Sequence, residues 1–168
     1  MPNFWKTQGI PHKGWRLLDV VDIREDGQSE LDTVYEYCIM CGREKIRFVH
    51  VLIHDIEGLE FRVGCICAEK MTDDYVNPEK RESELRNRSK RKLSWNKKTW
   101  KINEKGNLVL KYEGHRITIF HPNNSSQYKV VIDETFGNKT FKDVASAKNA
   151  AFKGVEYFKE NGKWKKHE

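Results

Sequence analysis

The four cysteines of the chain fall in two tight pairs, Cys38-Ile39-Met40-Cys41-Gly42 and Gly64-Cys65-Ile66-Cys67-Ala68. Four soft sulfurs in two pairs match one tetrahedral Zn²⁺, so Cys38, Cys41, Cys65 and Cys67 are the expected ligands. In the first pair the glycine after the second cysteine lets backbone amides turn toward the sulfurs. The second pair is CxC. In a straight strand its side chains would lie about 7 Å apart, too far to share an ion. A turn at Gly64 or a helix starting near Ala68 must therefore draw them together.

Two disulfides are the competing use of the same residues. They need an oxidising compartment, yet Met1 leads into Pro2-Asn3-Phe4-Trp5-Lys6 with no apolar signal stretch. The chain thus reads as cytoplasmic.

Two histidines sit between the pairs. The run Ile46-Arg47-Phe48-Val49-His50-Val51-Leu52-Ile53-His54 is rich in β-branched and aromatic residues and predicts a strand. Four strand residues separate the rings by roughly 13 Å, so His50 and His54 cannot both reach an ion held by four sulfurs. They are expected outside its coordination shell, as supporting, surface or partner-contacting groups. The alternative is that one of them replaces Cys65 or Cys67.

The positioning elements follow from the surrounding pattern. Trp15 to Ile23 predicts a strand, Arg24 to Asp32 a loop turning at Asp26-Gly27, and Val34 to Tyr37 a return strand entering the first cysteine pair. Ile46 to Ile53 then pairs across an Asp55-to-Gly58 turn with Leu59 to Val63, which delivers the second. A zinc knuckle, a hairpin and a second ligand pair leading into a helix resemble the treble-clef class of zinc modules, related to zinc ribbons, over about residues 34–76. Such modules serve as nucleases, ribosomal components and adaptors alike, so the resemblance carries no single activity.

At 168 residues, 38% hydrophobic and 33% charged, the chain is long enough for one domain or two small ones and has no run of membrane-span length. Its formal charge is +6 and its pI about 9.1, which favours a polyanionic partner. Asn77-Pro78 predicts a helix start, and Glu79 to Trp100 lacks glycine and proline. Leu85, Leu93 and Trp100 form a narrow apolar stripe, with Arg81, Arg86, Arg88, Lys90, Arg91, Lys92, Lys97 and Lys98 around the rest. No acid occurs from Leu85 to Lys101. The helix is either a phosphate-tracking element or a solvated linker.

Downstream, strands are predicted at Leu108 to Tyr112, His115 to His121 and Tyr128 to Asp133, with turns at Pro122 to Ser126 and Phe136-Gly137-Asn138 and a short fourth strand at Lys139 to Phe141. Asp143 caps a helix with Val144, Ala147, Ala151, Val155 and Phe158 on one face. The expected class is α+β: a β-rich zinc module over 1–76, a basic linker helix over 77–101, and over 102–168 a three-stranded antiparallel sheet with one packing helix.

Gly137 to Phe158, with Ala147-Lys148-Asn149-Ala150-Ala151 inside it, is similar to the closing half of a double-stranded RNA-binding domain. That family's lysine pair is replaced here by Val144 and Ala145, so only Lys148 carries over. The β-β-β-α order also resembles the DNA-binding domains of ethylene-response factors and the arm domains of tyrosine recombinases, which lay an open sheet face in a groove. The whole resembles small proteins of bacterial and phage or plasmid origin. Strand alternation then matters: with Ile117, Ile119, Tyr128, Val130 and Ile132 inward, Arg116, Thr118, Phe120, Lys129 and Val131 face out.

The leading expectation is a zinc-stabilised nucleic-acid-binding protein, DNA favoured, using Arg86, Arg88, Arg91, Lys92, Arg116, Phe120, Lys129 and Lys148. An adaptor or inhibitor that binds another protein is the alternative. A treble-clef nuclease is disfavoured because four cysteines close the ion, and no phosphate-cradling glycine loop, nucleophile elbow or paired-carboxylate motif is present.

Overall fold

A computed structural model describes residues 3–25, 28–122 and 125–165 and divides the chain into two units, Met1–Ser89 and Lys90–Glu168. The class is α+β. Asp26 and Gly27 of the expected loop, and Asn123 and Asn124 of the expected turn, lie outside the described residues.

In the first unit β1 (Trp15–Asp22) is followed by the short hairpin of β2 (Glu36–Tyr37) and β3 (Lys45–Ile46), then β4 (Phe48–His54), β5 (Glu60–Val63) and α1 (Cys65–Thr72). The larger sheet is antiparallel in the order β1-β4-β5. The sequence of β4, Phe-Val-His-Val-Leu-Ile-His, is apolar with little alternation, which suits a central strand covered on both faces. Its Val49 and Leu52 are fully buried with Trp15, Met40, Phe61 and Met71. The expected return strand over residues 34–37 shrinks to two residues, since Val34 is exposed and contributes nothing to burial.

Gly64 is the residue before α1. A Cβ there would come within 2.2 Å of the Glu44 carboxylate, so a larger residue would have to push the end of that flexible side chain aside. The helix starts at Cys65, three residues earlier than Ala68.

The long helix α2 spans Asn77–Asn96, and the division between units falls inside it. Asp74 does the capping expected of Asn77: its carboxylate accepts from the backbone N–H groups of Val76 and Asn77, each at 3.0 Å. The helix ends before Trp100 because Lys97 and Lys98 donate to Ser94 and Trp95 in tight i to i−3 closure. The apolar stripe is also different from that expected. Leu93 is exposed, and the buried members of α2 are Pro78 and Trp95.

The second unit is a meander of β6 (Lys101–Ile102), β7 (Leu108–Tyr112), β8 (His115–Phe120), β9 (Tyr128–Ile132) and β10 (Thr135–Phe141), closed by α3 (Val144–Glu160). The sheet therefore has five strands where three, with a short fourth, were expected. The extra edge strand β6 is only two residues long and follows the early end of α2, and β10 begins earlier than expected. Phe136-Gly137-Asn138 is not a turn but part of β10. Asp133, at φ +50°, turns the chain first, and the register shift between Phe136 and Thr140 absorbs the glycine.

Asp143 caps α3 as expected, accepting from the Ser146 N–H at 2.7 Å. Ala147, Ala151, Phe152 and Val155 pack on Ile117, Ile119, Val130 and Ile132. The buried Glu156 carboxylate is held by the Arg91 guanidinium, whose Nε donates at 3.0 Å. At the start of β8, burial alone would push the Glu113 carboxyl up, but Lys159, Tyr112 and Trp164 outweigh it and hold it at about 2. Among the described residues no helix is long and apolar enough to cross a membrane.

Candidate functional site

The sulfurs of Cys38, Cys41 and Cys67 all lie within 4.8 Å of one another. Cys38 and Cys41 come from the loop between β2 and β3. Its turn is closed by Gly42, at φ +67°, whose N–H donates to the Cys38 carbonyl at 2.8 Å. A side chain at this φ would be strained, so the glycine after the second cysteine has a conformational cause. Cys67 is the third residue of α1, buried like Cys38.

The electrostatics of the trio suit a soft cation. All four cysteines are free thiols. A hydrogen bond from Cys67, working against burial and joined by the backbone N–H groups of Cys41 and Gly64, brings the Cys38 thiol down to about 5. Cys67 is pushed up by the same partnership and by burial. A buried Cys38 thiolate beside backbone N–H donors and two further sulfurs is the environment of a metal-bound sulfur. Sulfurs on one tetrahedral zinc sit about 3.8 Å apart for bonds of about 2.3 Å, and the spacing here is compatible with that.

Cys65 stands outside the trio, and the early start of α1 is the reason. At about 100° per residue, helix positions two apart point to nearly opposite sides. Cys67 faces the β2–β3 loop. Cys65 faces α2 instead, in a second group with His50 and Glu82 whose ligand atoms again lie within 4.8 Å. Burial pushes the Cys65 thiol up to about 12, helped by Glu82, Glu69 and Glu79. The sequence alone does not single out Glu82, because no local pattern marks which helical carboxylate will face a strand histidine.

Neither histidine joins the three sulfurs. His54 accepts from the Glu57 N–H at 3.2 Å, lies 3.1 Å from the Lys13 carbonyl and packs on Trp15, which is a structural role. His50 is fully buried beneath α2.

The basic residues of α2 divide by partner. Arg86 pairs with Glu82 and lies over Phe48 at 5.5 Å. Arg88 is exposed and makes no ion pair among the described residues. Arg91 is occupied by Glu156, and Lys92 lies 6.0 Å from the centre of the Phe152 ring. Lys148 on α3 lies over Trp100 at 5.6 Å.

The sheet of the second unit keeps one face on α3 and leaves the other open. Strand register carries one row across it, Lys101, Val109, Thr118, Val131 and Phe136, flanked by Lys111 with Arg116 and by Phe120 with Lys129 and Thr140. The opposite positions Ile117, Ile119, Val130 and Ile132 are buried, as strand alternation requires. None of the ten open-face positions is acidic. Phe120 is half-buried edge-on against Phe136, with ring centres 6.1 Å apart.

Charge is partitioned more sharply than the chain average suggests. Residues 90–168 carry 18 Lys and Arg against 8 Asp and Glu, a formal +10, whereas residues 1–89 carry 13 against 17. Compared with known proteins, the chain matches no family model, no curated protein and no solved structure.

Proposed function

We propose that the chain is a zinc-stabilised nucleic-acid-binding protein in which Met1–Ser89 is organised by an ion on Cys38, Cys41 and Cys67 and Lys90–Glu168 contacts the nucleic acid. The observation that carries the reading is the open sheet face. It combines Lys101, Lys111, Arg116 and Lys129 with half-exposed apolar groups, its nearest carboxylate being Asp133 beside Arg116, on a unit of formal charge +10. Cations at this density displace condensed counterions from phosphates, and strands of a small sheet fit a DNA groove about 12 Å wide. DNA is favoured because an A-form RNA major groove is too deep and narrow for a sheet to enter.

The ion is assigned to support. Three sulfurs with little exposure, set in the core of the first unit, suit a folding role. The first unit is net acidic, and its charge would not draw it to phosphates. Within α2, Arg88 is exposed to a phosphate, whereas Arg86 and Arg91 already have carboxylate partners.

The test is binding to double-stranded DNA across a salt series. Lys111→Glu, Arg116→Glu and Lys129→Glu together are expected to reduce the slope of log affinity against log salt by about 2 to 3 units, near 0.9 for each phosphate contact. Thermal stability should change little, since Lys111 and Arg116 are exposed and Lys129 is half-exposed. Equal slopes and affinities for the variant and the wild type would remove the sheet face from the interface. Binding to an acidic protein through the same face, without DNA binding, would favour an adaptor.

A further inference from the structure

We propose that His50, Cys65 and Glu82 form a second metal site, separate from the cysteine trio, that holds a divalent zinc-like ion through one nitrogen, one sulfur and one oxygen and leaves it an open coordination position. The three residues come from β4, the first turn of α1 and the first half of α2, all inside Met1–Ser89, and their ligand atoms lie within 4.8 Å of one another.

The histidine supplies the independent observation. His50 is 0% exposed, and its Nε2 lies 3.2 Å from the Pro78 carbonyl. A carbonyl only accepts, so Nε2 carries the proton and Nδ1 is left as a bare lone pair. That Nδ1 is the one buried side-chain nitrogen or oxygen without a hydrogen-bond partner among the described residues. An unsatisfied lone pair in the interior is costly unless something fills it. A metal-bound imidazole commonly donates its other N–H to a backbone carbonyl, which fixes the tautomer; Pro78 offers that carbonyl, and an ion on Nδ1 draws Glu82 Oε2 from its place 3.9 Å from Nε2 toward that side of the ring.

The other two donors are available. One Glu82 oxygen pairs with Arg86, and the other, Oε2, lies 3.9 Å from His50 Nε2, too far for a hydrogen bond. The Cys65 sulfur makes only a long 3.8 Å contact to Glu69. Mixed nitrogen, sulfur and oxygen donors suit Zn²⁺ better than Ca²⁺ or Mg²⁺, which take oxygen. Three protein ligands leave a tetrahedral ion one position for water or an entering anion. Two clefts, of about 390 and 260 Å³, both have Cys65 and Glu82 in their walls. Glu69 and Glu79 add negative charge to the larger one, against the single cation Arg86.

The proposal does not depend on nucleic-acid binding, and the test separates it from the trio. The full-length protein is equilibrated with excess Zn²⁺ and counted by native mass spectrometry, then repeated with Co²⁺ for absorption spectra. Wild type should carry two ions per chain. Glu82→Gln and Cys65→Ala should each carry one, while the intense thiolate-to-cobalt band of the three-sulfur ion survives in Glu82→Gln. Glu82→Gln guards against a folding failure of the cysteine variant, and any second ion it takes at higher Zn²⁺ should bind at least about 10-fold more weakly than in wild type. A single ion in wild type, or two equally tight ions in Glu82→Gln, would overturn the site. So would loss of every ion in a folded Cys65→Ala, which would return Cys65 to the trio.

Discussion

Cys38→Ser is expected to leave Met1–Ser89 unfolded while Lys90–Glu168 stays folded. Cys38 is fully buried and is the sulfur most strongly held as a thiolate, by Cys67 and by the Cys41 and Gly64 N–H groups. A serine hydroxyl keeps its proton at neutral pH and is a poor donor to a soft ion. Structural zinc contributes on the order of 10 to 16 kcal/mol of apparent binding energy, which in such modules is folding energy. Domain stability is only about 5 to 15 kcal/mol, so losing most of the metal term removes the fold. The check is amide hydrogen exchange. Val49 and Leu52 in β4 should lose protection, and Ile117 and Ile119 in β8 should keep it. Retained protection at β4 would show that this core stands without the ion.

The second large effect is expected at Trp95. Its ring is 2% exposed, its Nε1 donates to the Lys148 carbonyl at 3.0 Å, and Trp100, Tyr112 and Phe152 pack around it with ring centres 6.0, 5.4 and 5.8 Å away. Trp95→Ala opens a cavity and leaves the carbonyl without that donor. The cost should be about 3 to 5 kcal/mol, which lowers the melting temperature of a unit this size by more than about 12 °C. Trp95→Phe, which keeps much of the volume and loses the N–H, should fall between. A melting temperature within about 4 °C of wild type for Trp95→Ala would mean that the aromatic cluster does not hold this unit together.

What the sequence reveals depends on whether the signal is local. Strand alternation places Ile117 and Ile119 inward and Arg116 and Phe120 outward, because a period of two leaves no other choice once a helix covers one face. The Asp143 cap and the Cys38 to Gly42 turn are equally local, each set by a few adjacent residues. The split of Cys65 from Cys67 is different in kind. It depends on where α1 begins, directly after Gly64, and on which distant residues the fold brings to each side of that helix. Likewise the partner of His50 is a helical glutamate 32 positions downstream, which no spacing rule selects. The end of α2 short of Trp100 belongs with these, since Trp95 and Trp100 both pack in the second unit while Lys97 and Lys98 close the last turn between them.

The central claim is that nucleic acid meets the open sheet face of the second unit and that the metal-bearing unit serves as support. Backbone amide chemical-shift mapping of the full-length protein with a short DNA duplex at low salt tests it most directly. The account predicts shifts concentrated on Val109, Lys111, Arg116, Thr118, Phe120, Lys129 and Val131, with Cys38, Cys41 and Cys67 unmoved. Shifts centred on Met1–Ser89, or none at all at saturating duplex, would contradict it.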